Sequence, residues 1–215
     1  MHPLLVDFED RRRQVRHYLA IVLGAERAAT ATASFTHQRR LLTLRAGTFL
    51  LMYNLVEASM RAGIDAIHDQ ILTEKAPFER LIPCLRKEAV TRFKKHAKPT
   101  LHAALLPGFP AAFVSVAMAE STDFAGNVDA KLIRELAEVY GFSTNAPKDT
   151  WAGSDLLTIK SMRNDLAHGR KSFEEVGRDY PATDLLNISR RASPYIRSVL
   201  ENIVLYLGDK HYLAA

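Results

Sequence analysis

The 215-residue chain has one cysteine, Cys84. A single thiol excludes an internal disulfide and any cysteine-based zinc cluster. Its setting, "LIPCLRKE", reads as an ordinary buried or interfacial thiol rather than a nucleophile. The lack of a disulfide fits a reducing compartment. Glycine and proline are sparse, 10 and 9 residues, and scattered, which excludes collagen-like and low-complexity segments. Alternating apolar and polar runs bounded by hairpin turns are missing, which argues against a sheet-based fold. There is no long apolar run either. The most apolar stretch, "AGTFLLMYNLVEASM", is interrupted by Asn54 and Glu57 and is too short to span a bilayer, so no membrane contact is expected. HExxH, CxxC and carboxylate clusters are lacking, so no metal site is expected. The opening "MHPLLVDFEDRRRQVRHY" carries charge directly after a short apolar start, with no cleavage-site pattern, and a cytoplasmic protein is expected.

What is present is the profile of a soluble globular protein, with 47% hydrophobic and 25% charged residues. The net charge of +5 is a mild bias toward polyanions. Apolar residues recur at helical spacing over 4–28, and a second helix is expected from Ser34 or Thr36 to about 72, with a kink near Gly47 or Gly63. Residues 73–126 are the least regular: "CLRKEAVTRFKKHAK" reads as a short basic helix, and "PTLHAALLPGFPAAF" is punctuated into turns. In "NVDAKLIRELAEVYG", Asn127 or Asp129 can cap an amphipathic helix that Gly141 stops, and Ser154 opens another that ends near Gly169. A last helix is expected over about 183–207, where Pro194 should bend it or begin a new segment. The expected architecture is all-α: a single domain over 1–215, a bundle of about five or six helices with an irregular insertion at 73–126.

The residues that carry chemistry sit in "SMRNDLAHGRKSF", residues 161–173. At about 100° per residue, Asn164 and His168 share a helix face, while Arg163 lies about 140° from His168 and reaches back with a long side chain. Histidine side chains titrate nearest neutrality and can exchange protons at cellular pH. Arginine presents a planar donor set that fits a phosphate. Asn164 can orient the histidine or hold a phosphate oxygen. RNA cleavage needs little more, because the ribose 2′-OH is the nucleophile and cationic donors stabilise the charge on phosphorus. The bland alternative is that His168 answers the helix dipole and that Arg163 pairs with Asp165 or Glu57. Glu57 itself interrupts an apolar helix, and either Arg163 or Arg61, four residues on, is a candidate partner. In "RKEAVTRFKKHAK", Arg86, Lys87, Arg92, Lys94, Lys95 and Lys98 either follow an RNA backbone or form a solvated face.

"RNDLAHG" resembles the R-x4–6-H signature of the HEPN superfamily. "LLMYNLVEASM" is similar to the Glu-bearing helix of bacterial members. "FAGNVDAKLIRELAEVYG" and "GRKSFEEVGRDYPATDLL" resemble the flanks of the motif helix in a stand-alone ribonuclease or toxin-like branch. The resemblance implies a helical bundle that dimerises, bringing two motifs into one cleft, and a metal-independent endoribonuclease acting on RNA. It further implies a toxin or antiphage-defence role, with an antitoxin or defence partner protein as one accompaniment. Arg163 and His168 would be the catalytic pair, with Asn164 beside them and Glu57 and Asp165 in support. The alternative is a non-catalytic HEPN-type module that binds nucleotide, RNA or protein. Neither the residues nor the resemblance implies a cofactor. Some such toxins are silenced by AMP groups placed on a tyrosine just beyond the histidine. Here "HGRKSF" has none, and the next tyrosine is Tyr180.

Overall fold

The computed structural model describes residues 1–32, 35–96, 109–119, 124 and 127–214. Lys98, named above as a basic-patch residue, lies outside them. The described part is all-α: eight α-helices, two short 3-10 helices and, in place of strands, an isolated bridge between Leu81 and Leu213. None of the described helices is long and apolar enough to cross a membrane.

Helix α1 spans Pro3–Thr32 and buries Phe8, Val15, Leu19 and Val22 along one stripe. Its solvent side is laced by pairs one turn apart, such as Arg11 with Asp7 and Arg13 with Asp10. Helix α2, Phe35–Thr73, is the axis of the bundle, at 39 residues one uninterrupted element. Gly47 and Gly63 were expected to kink it. Instead they admit neighbours: a Cβ at Gly47 would meet the Tyr18 hydroxyl at 2.5 Å, and one at Gly63 would meet Ile203 at 2.9 Å.

Two helices fall within 73–126: the short basic helix expected there, and one where turns were expected. Helix α3, Pro83–His96, and helix α4, Phe109–Met118, pack on one another, and Phe113 touches Phe78 and Phe93 through ring contacts of 5.4 and 4.6 Å. Helix α5, Ala130–Tyr140, is capped as expected: the Asp129 carboxylate accepts from the Leu132 N–H at 2.9 Å, and Gly141 closes it with φ +86°.

A 3-10 segment, Lys148–Gly153, then turns left-handed over Trp151, Ala152 and Gly153. It feeds helix α6, Asp155–Ala167, which carries the motif. Arg191 clasps this junction, its guanidinium 3.9 Å from the Trp151 ring and doubly bonded to Asp155 at 2.6 and 2.9 Å. Helix α7, Phe173–Asp179, starts on a capping box between Ser172 and Glu175. Helix α8, Ala182–Gly208, runs through Pro194 without starting a new segment. The proline removes one N–H from the ladder, and the buried flanks Ala192, Ser193, Tyr195 and Ile196 hold the helix across the gap.

One buried polar pair has a thermodynamic consequence. His68, 2% exposed, shares a 3.0 Å hydrogen bond with the Tyr140 hydroxyl. Burial, then the charge of Arg92, lowers its imidazole from 6.5 to about 3. Between those values the unfolded chain binds a proton that the folded chain refuses, so acid favours unfolding. The stabilising neutral state is fully expressed above about 6.5 and is lost as pH falls toward about 3, at no more than about 1.4 kcal/mol per pH unit. Urea midpoints measured against pH should therefore drop more steeply for the wild type than for His68→Gln. Parallel acid limbs would refute a neutral buried His68.

Candidate functional site

Helix α6 brings its motif against the middle of α2. Arg163 is half-buried there, its guanidinium 4.6 Å from the centre of the Tyr53 ring. Its Nη1 donates to Asn164 Oδ1 at 2.8 Å. Arg163 thus sits over an aromatic face with its Nη1 turned to its neighbour, an arrangement that suits guanidinium better than ammonium. The Tyr53 hydroxyl accepts from the Val128 N–H at 3.0 Å, which fixes the ring. Burial pushes that hydroxyl up to about 12, and the nearby Glu57 carboxylate adds to the shift, so Tyr53 stays neutral at any cellular pH.

Beside this stack opens a pocket of about 340 Å³, lined by Leu50, Tyr53, Asn54, Glu57, Arg61 and Arg163. The α2 members recur every three to four positions, so one helix face supplies the wall. Glu57 binds Arg61 at 3.1 Å rather than Arg163, which settles the two candidate partners for the local pair. Arg61 also sits 5.6 Å from the Phe124 ring, and Arg11 of α1 reaches Asn54 at 3.4 Å. The pocket wall therefore holds one acid and two guanidiniums, with a third, Arg11, at its edge. Such a rim attracts anions.

His168 occupies the C-cap of α6 and is exposed. Its backbone N–H returns to the Asn164 carbonyl at 3.0 Å, and Gly169 follows at φ +64° in open space. That left-handed residue ends the helix and sends the chain away, so the imidazole stands at the tip. Among the described residues its ring makes no hydrogen bond, and it is not part of the pocket wall that Arg163 joins. The Asp165 carbonyl accepts the Arg170 N–H at 2.8 Å and the Lys171 N–H at 3.3 Å, while its carboxylate approaches Arg170 to 3.9 Å. Asp165 holds the turn beyond the histidine and does not pair with Arg163.

The basic stretch divides. Lys87, Lys94 and Lys95 are exposed on α3, and Arg86 is half-buried. Arg92 is not available to a phosphate: it is 7% exposed, and its Nε donates to the Ala117 carbonyl at 2.8 Å, tying α3 to α4. None of these residues lines the pocket. Among the described residues no group of three or more His, Cys, Asp and Glu side chains is placed to hold a metal ion.

An Arg packed against α2 and a His five residues later at the tip of the same helix is the arrangement the motif implied. The family model described as MAE_28990-like HEPN matches residues 2–212. The chain belongs to this HEPN family. No curated protein and no solved structure matched the chain. Sequence reasoning missed three pocket residues of this HEPN chain: Tyr53, Asn54 and Arg61 as a site group rather than a pair. The signal was available, since Tyr53, Glu57 and Arg61 recur every four residues in "YNLVEASMR".

Proposed function

We propose that this HEPN chain is an endoribonuclease that cleaves RNA without a metal, as a homodimer whose two motifs share one cleft, in a toxin or antiphage-defence setting. The observation that carries the reading is the pairing of a fixed cation with a free imidazole. Arg163 is immobilised on Tyr53 at 4.6 Å, and His168 stands exposed at the tip of the same helix. A cleft completed by a second copy fits two further features. Leu157, 57% exposed, shares the α6 face of Asn164 and His168, and Leu50, 37% exposed, flanks the pocket on α2. Exposed leucines beside a polar site are natural contacts for a symmetric partner.

In this mechanism the imidazole takes the proton of the ribose 2′-OH. The 2′-oxygen attacks phosphorus, the bond to the 5′-oxygen breaks, and a protonated imidazole in the shared cleft supplies the proton the leaving oxygen needs. Arg163 neutralises the extra charge on the phosphoryl oxygens, and its prior immobilisation means no reorganisation accompanies that step. Atoms balance without water: the products are a 2′,3′-cyclic phosphate and a 5′-hydroxyl.

The test follows from those ends. Purified protein incubated with RNA and excess chelator should yield fragments with cyclic phosphate and 5′-hydroxyl termini. Fragments with 5′-phosphates, or cleavage abolished by chelator, would overturn the mechanism. Tight RNA or nucleotide binding without any cleavage would establish the second reading, a non-catalytic HEPN module, which is consistent with His168 lying off the pocket wall of a single chain.

A further inference from the structure

Helix α1 carries two basic edges, and only one faces the site. Arg11 reaches α2 and touches Asn54. Arg12 and Arg16 lie about 100° and 140° around the axis from it, on the edge that meets α8. There α1 and α8 leave a groove of about 370 Å³, lined by Arg12, Arg16, Arg190, Ser189 and Ser193. Its size falls in the range of small-ligand sites.

Three features of this groove ask for a ligand. The first is charge. No carboxylate lines it. Arg12 shares Glu9, at 3.1 Å, with Arg197 at 3.0 Å, and among the described residues Arg16 and Arg190 make no ion pair. The second is a pair of idle hydroxyls. Ser189 and Ser193 are 8% and 6% exposed, and among the described residues their side chains make no hydrogen bond. The two residues stand one helical turn apart and both line the groove, so their hydroxyls are open to whatever fills it. The third is the apolar part of the lining, Leu19, Leu23, Leu186 and Pro194, beside the cations.

We propose that this groove binds a nucleotide unit. Its phosphate bridges Arg16 and Arg190, with Arg12 at the edge and the Ser189 and Ser193 hydroxyls donating to phosphate oxygens. Its sugar and base lie over the leucines and proline. Guanidinium forks match phosphate oxygens in geometry as well as charge. The unit belongs either to an RNA strand that crosses α1 from the site or to a free nucleotide. The proposal does not rest on RNA cleavage, since binding can be measured in a His168→Ala protein.

The experiment has two arms, each in the His168→Ala background: anisotropy of a short labelled single-stranded RNA, and calorimetric titration with AMP and ATP. Adding Arg16→Ala and Arg190→Ala together is expected to weaken binding in at least one arm by about tenfold or more. In the RNA arm it should also reduce the slope of log affinity against log salt by about 0.7, the loss of one neutralised phosphate on a single strand. Ser193→Val, which removes a hydroxyl and leaves the charge unchanged, should weaken the same arm. Loss in the RNA arm alone identifies the strand, and loss in the nucleotide arm identifies the free ligand. Arg13→Ala, on an exposed residue paired with Asp10, should behave as the parent. Three results would overturn the proposal: neither ligand binds the parent protein, the double variant binds as the parent does, or Arg13→Ala weakens binding as much as the double variant.

Discussion

Replacing His168 with alanine is expected to lower RNA cleavage by about 10²- to 10⁴-fold, the usual contribution of a positioned proton-transfer group. Arg163→Ala should cost about 10²- to 10³-fold, the range seen when one preorganised charge-stabilising donor is removed. The two should differ in what else they disturb. His168 is exposed and its ring makes no hydrogen bond among the described residues, so its loss should leave the thermal midpoint where it was. Arg163 packs on Tyr53 and bonds Asn164, so its loss opens space beside a buried ring. Arg163→Lys keeps the charge but neither stacks as a plane nor reaches Asn164 with a fork, and it should behave much more like alanine than like arginine. The double variant should be little worse than His168→Ala, because groups serving one step fail together. If His168 only answers the dipole of α6, His168→Ala would cleave normally. Chelator-resistant cleavage persisting in both single variants would show that the chemistry lies elsewhere.

The fold class was legible because helical periodicity is dense and hairpin signals are missing, and local caps placed several ends correctly. Asp129, Gly141 and Gly169 act as their residue types require. What escaped the sequence depends on long-range packing. Helix α4 begins with Pro110 in its first turn, where a missing N–H costs nothing, yet the surrounding prolines and glycine read as turns. Helix α7 is only seven residues, and its one clear signal was Ser172 three positions before Glu175. Pro194 lies inside α8 because tertiary contacts on both sides outweigh one lost bond.

The site divides along the same line. The positions of Asn164 and His168 on one helix face follow from spacing alone. Which partner Glu57 takes does not, since Arg61 and Arg163 are both within reach and only the relative placement of α2 and α6 decides. Arg92 shows the reverse error. Its sequence neighbours are solvated lysines, but α4 covers its position and converts a charge into a helix-to-helix strut. Charge patterns report what a segment can attract, not which of its members remain accessible.

One methyl group should have opposite effects at two glycines. At Gly177, in α7, a Cβ would lie 2.0 Å from the Leu42 carbonyl oxygen and 2.7 Å from the Leu42 Cα, both backbone atoms of α2. No rotamer change relieves such a clash, so the helices must separate, and Gly177→Ala is expected to cost about 3 kcal/mol or more. For a chain of this size that corresponds to a melting temperature about 6–12 °C lower. At Gly24, inside α1, nothing lies within 4 Å of the same methyl. There alanine only removes the conformational freedom of glycine, and a gain of about 0.5–1 kcal/mol is expected. The contrast reaches the site through α2, which holds Leu42 against α7 and Tyr53 beneath Arg163, with Phe49 between them edge-on to Tyr180 at 4.8 Å. Displacing α7 pulls on the short turn that follows His168, so Gly177→Ala should lose RNA cleavage along with stability, whereas Gly24→Ala should keep both. Equal melting temperatures for Gly177→Ala and the wild type would mean that α7 does not sit against α2 as closely as Leu42 requires.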